Sequence, residues 1–237
     1  MTLFDSLKNI VMLTFLIYFA PTVFEKITMQ YTPLLEPRTQ IGVIQLKDNA
    51  TSSYRYSTEL HSFFKNPSIK GIVIKIDCPD GSPGTCQTIF HEIRQLKKEY
   101  PKPIVSLVEN YCLAGGYLIA SATDHIIAPE CAIIGNINAD FIKTEQYEAI
   151  TSYNSKPEEE KTTLLALHND AYQQIIRQIA AARKLSLTSI TNWADGKIFT
   201  GHQAIHYGLV NEIGSMYTVI KYMKEKALIE NEIEWVE

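Results

Sequence analysis

The sequence lacks an excess of basic residues. Its 237 residues include 22 Lys and Arg against 26 Asp and Glu, which gives a formal net charge of −4. No stretch interleaves Arg or Lys with aromatic residues. Proteins that bind the phosphate backbone of nucleic acids present a clustered basic surface. The composition therefore predicts that nucleic acid is not a partner.

Cysteine pairs of the kind that bind metal ions are also missing. The four cysteines are Cys78, Cys86, Cys112 and Cys131, and no two of them form a Cys-x-x-Cys motif. Structural zinc sites are built from such pairs, so no metal site is predicted. The cysteines are expected to be buried free thiols. In an oxidising compartment a disulfide is the alternative, and Cys78 with Cys112 is the first pair to consider.

Blocks of Gly, Ser, Pro or like charge, which mark disordered regions, do not occur in the sequence. Hydrophobic residues make up 46% and charged residues 20% of the chain, as in ordinary globular proteins. A chain of this length accommodates one buried α/β domain and an additional segment. We therefore expect most of the chain to fold as one domain.

The most hydrophobic stretch is residues 9–24, which contain no charged side chain. A helix of this length spans about 24 Å, less than the roughly 30 Å of a hydrocarbon core, so Lys8, Tyr18 and Lys26 would anchor its ends. We predict a single membrane anchor, or a signal-like helix, over residues 1–28. A cleaved signal peptide is disfavoured because no small-x-small cleavage site is evident, and a helix of the globular domain is a further alternative. The flanking positive charges do not decide the orientation.

The remaining sequence alternates between short apolar runs and longer amphipathic stretches, which is typical of an α/β fold. Buried strands are predicted at 41–46, 71–76 and 104–108. Helices are predicted at 57–65, 85–99 and 158–184. The predicted organisation is a linker at 29–40, a domain at 41–230 and a tail at 231–237.

Three segments occur in an order that resembles one known family. They are Ile76-Asp77-Cys78-Pro79-Asp80-Gly81-Ser82, then Cys112-Leu113-Ala114-Gly115-Gly116-Tyr117, and then ADGKIFTGHQAIHYGLVNEIG at 194–214. They are similar to the N-S-P-G-G-S, A-S-G-G-Y and D-G-R-x-x-x-G-x-x-A-x-x-x-G-L-V-D-x-x-G motifs of the signal peptide peptidase A family of serine peptidases. The resemblance spans residues 41–226. It implies an α/β fold of the ClpP/crotonase type, a repeated ββα superhelix with a central sheet, here preceded by the N-terminal hydrophobic helix.

The resemblance also assigns roles to individual positions. Ala114 takes the place of the nucleophilic serine, Glu148 that of the lysine base (Lys143 if the register shifts), and Asp80, Gly81 and Gly115 those of the oxyanion donors. Hydrolysis by a Ser/Lys dyad requires a hydroxyl, a neutral lysine and backbone N–H donors. Ala, Glu and Asp at these positions predict a catalytically impaired protein, a pseudopeptidase.

Nearby residues offer a displaced nucleophile as an alternative. Cys112 lies two residues before Ala114, and Ser106 and Ser121 lie on either side of the same turn. A shift of one or two positions turns a side chain to another face, and misplacement of about 1 Å already lowers catalytic rates strongly. The sequence therefore favours loss of activity over a displaced nucleophile.

Histidines do not complete another catalytic or metal site in this reading. His125 follows Asp124 in a predicted short strand and is interpreted as structural. His202 and His206 have the spacing of metal ligands on a helix, but no carboxylate motif accompanies them.

Two functions from different classes are compatible with the resemblance. The favoured one is a membrane-anchored, inactive subunit of a ring-like oligomer, formed with itself or an active paralogue, that binds extended peptides along strand edges. The alternative is an active membrane peptidase that degrades signal peptides or membrane-protein fragments with a displaced or partner-supplied nucleophile. A crotonase-type acyl-CoA enzyme shares the fold but is disfavoured by the Gly-Leu-Val ending. The family implies an extracytoplasmic domain, and no cofactor is expected because Ser/Lys hydrolysis uses protein groups and water.

Overall fold

The computed structural model describes residues 3–35, 38–137 and 157–237. The helices are α1 (Leu3–Leu35), α2 (Tyr54–Lys65), α3 (Pro83–Glu99), α4 (Ala114–Ser121), α5 (Glu158–Arg183), α6 (Ile190–Trp193), α7 (Gly201–His206) and α8 (Met216–Lys226). The strands are β1 (Thr39–Lys47), β2 (Ile69–Cys78), β3 (Ile104–Leu113), β4 (His125–Ala128), β5 (Ile133–Gly135), β6 (Ile198–Thr200), β7 (Glu212–Ile213) and β8 (Ile233–Val236). The predicted α/β fold with a central sheet is confirmed, and each of the six predicted strands and helices overlaps an observed element.

The central sheet has the strand order β6-β5-β3-β2-β1-β8, and β4 links β3 to β7. Its strands pair in parallel except β5 and β6. Strand β2 is buried along almost its whole length, as expected for a parallel strand covered on both faces. Parallel strands end at the same edge of a sheet, so the loops after β2 and β3 lie next to each other.

Two apolar clusters cover the two faces of the sheet. Ile74 and Ile76 of β2 belong to the larger cluster, which also contains the buried residues of α2, α3, α4 and α5. Val73, which directly precedes Ile74, belongs to a smaller cluster with Val219 and Met223 of α8. The alternation follows from the two-residue period of a strand. The sheet therefore lies between two layers of helices, with the larger core on the side of α3 and α4.

The N-terminal helix α1 forms a compact unit of its own, separate from residues 39–237. It is 33 residues long. Several of its apolar side chains are well exposed, among them Leu13, Phe15 and Ile17, each 61% exposed. Within the part of the chain that the structure describes, no helix is both long and apolar enough to cross a membrane.

The element boundaries differ from the predicted organisation in two places. Helix α1 continues to Leu35, so the first part of the segment 29–40, predicted as a linker, is helical. The segment 231–237, predicted as a tail, contains β8, which pairs in parallel with β1. Ile233 packs on the smaller apolar cluster. The backbone groups at the outer edge of β1 thereby gain hydrogen-bond partners, which is why this short segment is ordered as a strand.

Candidate functional site

The candidate site is formed by the loop after β2 and the turn after β3. Cys78, the last residue of β2, is the register partner of Cys112 in β3. Asp80 and Gly81 follow two and three residues after Cys78, and Ala114 and Gly115 follow two and three residues after Cys112. The parallel sheet therefore places the loop with Asp80 and Gly81 next to the turn with Ala114 and Gly115.

Ala114 has an unusual backbone conformation. It is the first residue of α4, it is buried, and its φ is +45°. A residue with a Cβ in the left-handed region costs roughly 1–2 kcal/mol. Strained turns between a strand and a helix are the places where hydrolases of several folds present a nucleophile. Here the strained position carries only a methyl group.

Gly81 and Gly115 lie so close to each other and to Cys86 that neither position has room for a side chain. A Cβ added to Gly115 would lie 3.2 Å from Gly81 Cα and 2.4 Å from Cys86 Sγ. A Cβ added to Gly81 would lie 2.5 Å from the same sulfur. The Cys86 thiol therefore packs between the loop and the turn, and burial raises its pKa. The sequence reading did not single out Cys86, since no motif includes it and only its position near the start of α3 connects it to the site.

Asp80 alters the predicted oxyanion hole. Gly81 N–H donates to Asp80 Oδ1, with an N···O distance of 2.7 Å. The carboxyl group is half-buried, and this burial raises its pKa, although the hydrogen bond from Gly81 partly opposes the shift. A donor that a peptidase would aim at a developing oxyanion is thus already bonded to a carboxylate.

The orientation of the Gly81 N–H follows from its pairing with Ala50. Ala50 N–H donates to Asp80 O at 3.3 Å, and Ser82 N–H donates to Ala50 O at 2.9 Å. This is a parallel bridge between Ala50 and Gly81, in which the hydrogen bonds involve the residues on both sides of Gly81. The Gly81 N–H therefore points away from Ala50. Sequence reading does not reveal this bridge because Ala50 lies in a loop after β1.

Side chains at the strand ends hold the loop in place. Cys78 Sγ donates to Asp80 O at 2.7 Å, and burial raises the pKa of the Cys78 thiol to about 11. Asp77 accepts hydrogen bonds from the Asn110 side chain at 3.0 Å and from Tyr111 N–H at 3.2 Å. The carboxylate of Asp77 thus ties the end of β2 to the part of β3 that leads into the Ala114 turn.

The residues predicted at the position of the lysine base, Glu148 and Lys143, lie outside the described residues. The strand before them, β5, ends at Gly135, which pairs with Leu113. Gly135 has φ +115°, and an added Cβ would lie 2.5 Å from the carbonyl oxygen of Lys197. A glycine is required at this point because the backbone of the neighbouring segment is so close.

The predicted alternative nucleophiles do not meet at the turn. Ser106 lies eight residues before Ala114, near the start of β3, where it pairs with Ile74 of β2. Its hydroxyl is fully buried and has no hydrogen-bond partner among the described residues. Ser121 is the last residue of α4, and its buried hydroxyl donates to Leu118 O at 2.7 Å. Cys112 is closest to the turn, but it is fully buried and burial raises its pKa well above the ordinary value.

The cysteines match the expectation of buried free thiols with one exception. All four cysteines are free thiols, but Cys131 is exposed rather than buried, because it lies in the turn between β4 and β5. His125 stacks on Tyr222 and pairs with Glu212 at 3.2 Å, which agrees with a structural role. His202 and His206 contact each other edge to face, and among the described residues no group of three metal-ligating side chains is found.

The third sequence motif, residues 194–214, is hydrogen-bonded to α4, the helix that begins at the Ala114 turn. Tyr117 of α4 is fully buried, and its hydroxyl donates to Leu209 O at 3.0 Å. The Arg183 guanidinium donates to Gly208 O at 2.8 Å and to Asn211 Oδ1 at 2.7 Å. Asn211 occupies the position of the motif's Asp, and its amide oxygen accepts one bond from Arg183 and another from Ile126 N–H at 2.9 Å. The hydroxyl of Tyr117 thereby couples the helix after the Ala114 turn to the Gly-Leu-Val segment.

These features define the class of protein. A largely parallel sheet in which β3 passes through a left-handed residue into a buried, glycine-rich helix, beside a second glycine loop after β2, is an α/β domain of the ClpP/crotonase type.

Comparison with known proteins narrows the class to a family. The model of peptidase family S49 matches residues 136–230. "Putative protease MJ0651" of Methanocaldococcus jannaschii is 28% identical over 195 residues, covering 74% of this chain and 62% of the relative. "Putative protease slr0021" of Synechocystis is 31% identical over 163 residues, covering 61% and 58%. "Putative signal peptide peptidase SppA" of Enterococcus faecium is 25% identical over 190 residues, covering 72% and 55%.

The chain is thus similar to the signal peptide peptidase A family, peptidase family S49. It spans less than two thirds of the length of each of the three relatives.

Proposed function

We propose that this chain is a catalytically impaired member of its peptidase family that binds extended peptides and acts as a subunit or scaffold. The observation that carries the proposal is the turn after β3, which keeps a left-handed residue but carries Ala114 instead of a hydroxyl residue. A methyl group has no lone pair with which to attack a carbonyl carbon. The backbone that would present a nucleophile is therefore retained without the nucleophile itself.

The state of the oxyanion donor supports the same proposal. The Gly81 N–H is bonded to the Asp80 carboxylate, and a negative charge at this position would repel a developing oxyanion. Loss of one oxyanion donor lowers kcat by about 10²–10³-fold in a serine protease. The Asp80 carboxylate would therefore limit hydrolysis even if a hydroxyl were present at residue 114.

A displaced nucleophile is the competing proposal, in which the chain is an active membrane peptidase. The placement of the two serines argues against it, because Ser106 lies opposite Ile74 within the sheet and the Ser121 hydroxyl is bonded to Leu118 O. Raised thiol pKa values also oppose it, since the thiolate is the reactive form of cysteine. A nucleophile supplied by a partner subunit is the remaining route to activity.

Labelling with a fluorophosphonate distinguishes these proposals. We expect no covalent label on the purified wild-type chain and a label on residue 114 in the Ala114→Ser variant. Adding Asp80→Gly to Ala114→Ser should increase the labelling rate at least tenfold, because the Gly81 N–H is released. A label on the wild type that disappears in Ser106→Ala, Ser121→Ala or Cys112→Ala would instead identify a working, displaced nucleophile.

We further propose that α1 attaches the chain to a membrane as its single N-terminal anchor, with the domain on the extracytoplasmic side. The exposed apolar side chains of α1 support this proposal, since apolar surface is favourable in lipid and unfavourable in water. Flotation with lipid vesicles tests it: the full chain should float, and a chain lacking residues 1–28 should stay at the bottom of the gradient. Equal flotation of both would contradict it.

Assembly is a separate proposal. Head-to-tail contacts between identical subunits generate rings when the rotation closes, and we propose a ring-like oligomer of this chain, either alone or with an active paralogue. The mass of the detergent-extracted chain should correspond to several copies. A monomeric mass at micromolar concentration would overturn self-assembly and leave a paralogue as the partner to test.

A further inference from the structure

We infer that the cleft accepts a cationic peptide group, a free α-amine or a lysine ammonium, at Asp80, where an active peptidase would accept an oxyanion. This inference rests on the proposed peptide-binding function and adds to it the chemistry of the bound group. It follows from the geometry of the Asp80–Gly81 pair.

The first observation is that the Gly81 N–H, the hydrogen-bond donor of the site, is occupied by the Asp80 carboxylate, which presents acceptor oxygens instead. The Gly81 N–H points away from the Ala50 bridge, but Asp80 Oδ1 lies 2.7 Å from its nitrogen. A ligand that reaches this position therefore meets carboxylate oxygens. A carbonyl or carboxylate oxygen of a ligand would have to displace Asp80 and would be repelled by its charge.

The second observation is that the Asp80 loop is held on both sides. The carbonyl oxygen of Asp80 accepts from Cys78 Sγ at 2.7 Å and from Ala50 N–H at 3.3 Å. Gly81 packs against the Cys86 sulfur and lies next to Gly115. The backbone that carries the carboxylate thus has few ways to move, and the position of the negative charge is fixed in advance of binding.

The third observation is that the described residues supply no counter-charge to Asp80. Within residues 38–137 and 157–237, no Lys, Arg or His side chain forms an ion pair with Asp80. The carboxyl group is half-buried, and burial raises its pKa. A carboxylate has about four acceptor positions, and the hydrogen bond from Gly81 uses one of them. A ligand ammonium would compensate the burial with charge-assisted hydrogen bonds.

The surroundings of Asp80 select for such a group and against an anion. The neighbouring thiols of Cys78 and Cys86 are buried, and burial raises the pKa of each, so both are neutral at pH 7. Neither neutral thiols nor the methyl groups of Ala50 and Ala114 attract an anion. The accessible oxygens of Asp80 are therefore the feature of the site that recognises charge, and they recognise a cation.

Two peptides with one difference test this inference. The hexapeptide Ala-Leu-Ala-Val-Ala-Leu, labelled with a fluorophore at its carboxyl end, is prepared with a free amine and with an acetylated amine. Fluorescence anisotropy measures both affinities for the full chain in detergent. We expect the free amine to bind at least tenfold more tightly than the acetylated form.

Two variants identify the source of this preference. Asp80→Asn keeps the size of the side chain and an acceptor oxygen but removes the charge, so the affinity ratio should fall to about one. Asp170→Asn, which neutralises an exposed carboxylate on α5, is the matched control and should keep the wild-type ratio.

The remaining outcomes distinguish failure of the inference about Asp80 from failure of the proposed peptide-binding function. Equal affinity of the two peptides for the wild type overturns the inference about Asp80 and leaves peptide binding in place. A preference that survives Asp80→Asn also overturns it, because another group must then recognise the amine. Absence of binding by either peptide to the wild type and to Asp80→Asn overturns the peptide-binding function together with the inference.

Discussion

The two loops that form the site differ in what they retain. The turn after β3 keeps the backbone that presents a nucleophile, with Ala114 at φ +45°, and lacks only the reactive atom. The loop after β2 keeps its place beside Gly115, but the Asp80 carboxylate bonds to its donor. Under the proposed function, the first loop lacks a hydroxyl group and the second carries an additional carboxylate. The backbone of the site is therefore maintained by packing, independently of the chemistry of its side chains.

The largest effect should come from filling the contact between the two loops. Gly115→Ala would place a Cβ 2.4 Å from Cys86 Sγ and 3.2 Å from Gly81 Cα. We expect a loss of about 2 kcal/mol in the free energy of unfolding, in the range of overpacked cores. Urea denaturation of the chain in detergent measures the loss.

A double-mutant cycle identifies its cause. Cys86→Ala should recover about half of the Gly115→Ala loss, since the sulfur is the nearest obstacle. Gly116→Ala is the matched control, because its Cβ would lie 2.9 Å from the carbonyl oxygen of Cys78, which Cys86→Ala leaves in place. Equal recovery in both backgrounds would mean that the sulfur does not hold the two loops apart.

The backbone of the turn also depends on the third motif. Tyr117→Phe removes the buried hydrogen bond to Leu209 O and leaves that carbonyl without its donor. We expect a loss of about 1–2 kcal/mol, as is typical when a buried partner is left unsatisfied. Tyr56→Phe, which alters a half-buried tyrosine on α2, is the control and should change stability by less. Unchanged stability in Tyr117→Phe would separate the turn from the Gly-Leu-Val segment.

The sequence predicts the fold and the positions of the site more completely than the bonds within it. The strands predicted at 71–76 and 104–108 are recognisable because buried parallel strands are continuously apolar, and both are confirmed. The proximity of Asp80 to Ala114 follows from parallel strand order. The bond between Asp80 and Gly81 does not, since it depends on a bridge to Ala50 that local sequence does not encode.

Cys86 illustrates a second limit of prediction from the sequence. Its thiol fills the space beside two glycines, but a cysteine in an amphipathic helix has no signal other than its hydrophobic character. The strand β8 was missed for a similar reason, because four residues are too few for a reliable alternation. Contacts between distant segments are thus the part of this structure that periodicity and motifs leave undetermined.

Substitution of the two buried serines should have a smaller effect on the free energy of unfolding. Ser106 has a buried hydroxyl without a hydrogen-bond partner in the described part of the chain, so Ser106→Ala should raise the free energy of unfolding by up to about 1 kcal/mol. Ser121 donates to Leu118 O, and Ser121→Ala should lower it by about the same amount. Thermal unfolding of both variants measures whether Ser106→Ala is stabilising and Ser121→Ala destabilising. A loss in Ser106→Ala would indicate that its hydroxyl has a partner.

The smallest expected effect bears most directly on the comparison of the two loops. Ala114→Gly relieves the left-handed strain, roughly 1 kcal/mol or more, but it also removes a buried methyl group and adds backbone freedom to the unfolded chain. These terms nearly cancel, so we expect a net change within about 0.5 kcal/mol. Ala114→Ser keeps the strain and adds a hydroxyl to a buried position. If Ala114→Gly is instead destabilising by 2 kcal/mol or more, the methyl group itself holds the turn, and the turn has been repacked around alanine rather than kept from an ancestor with a serine.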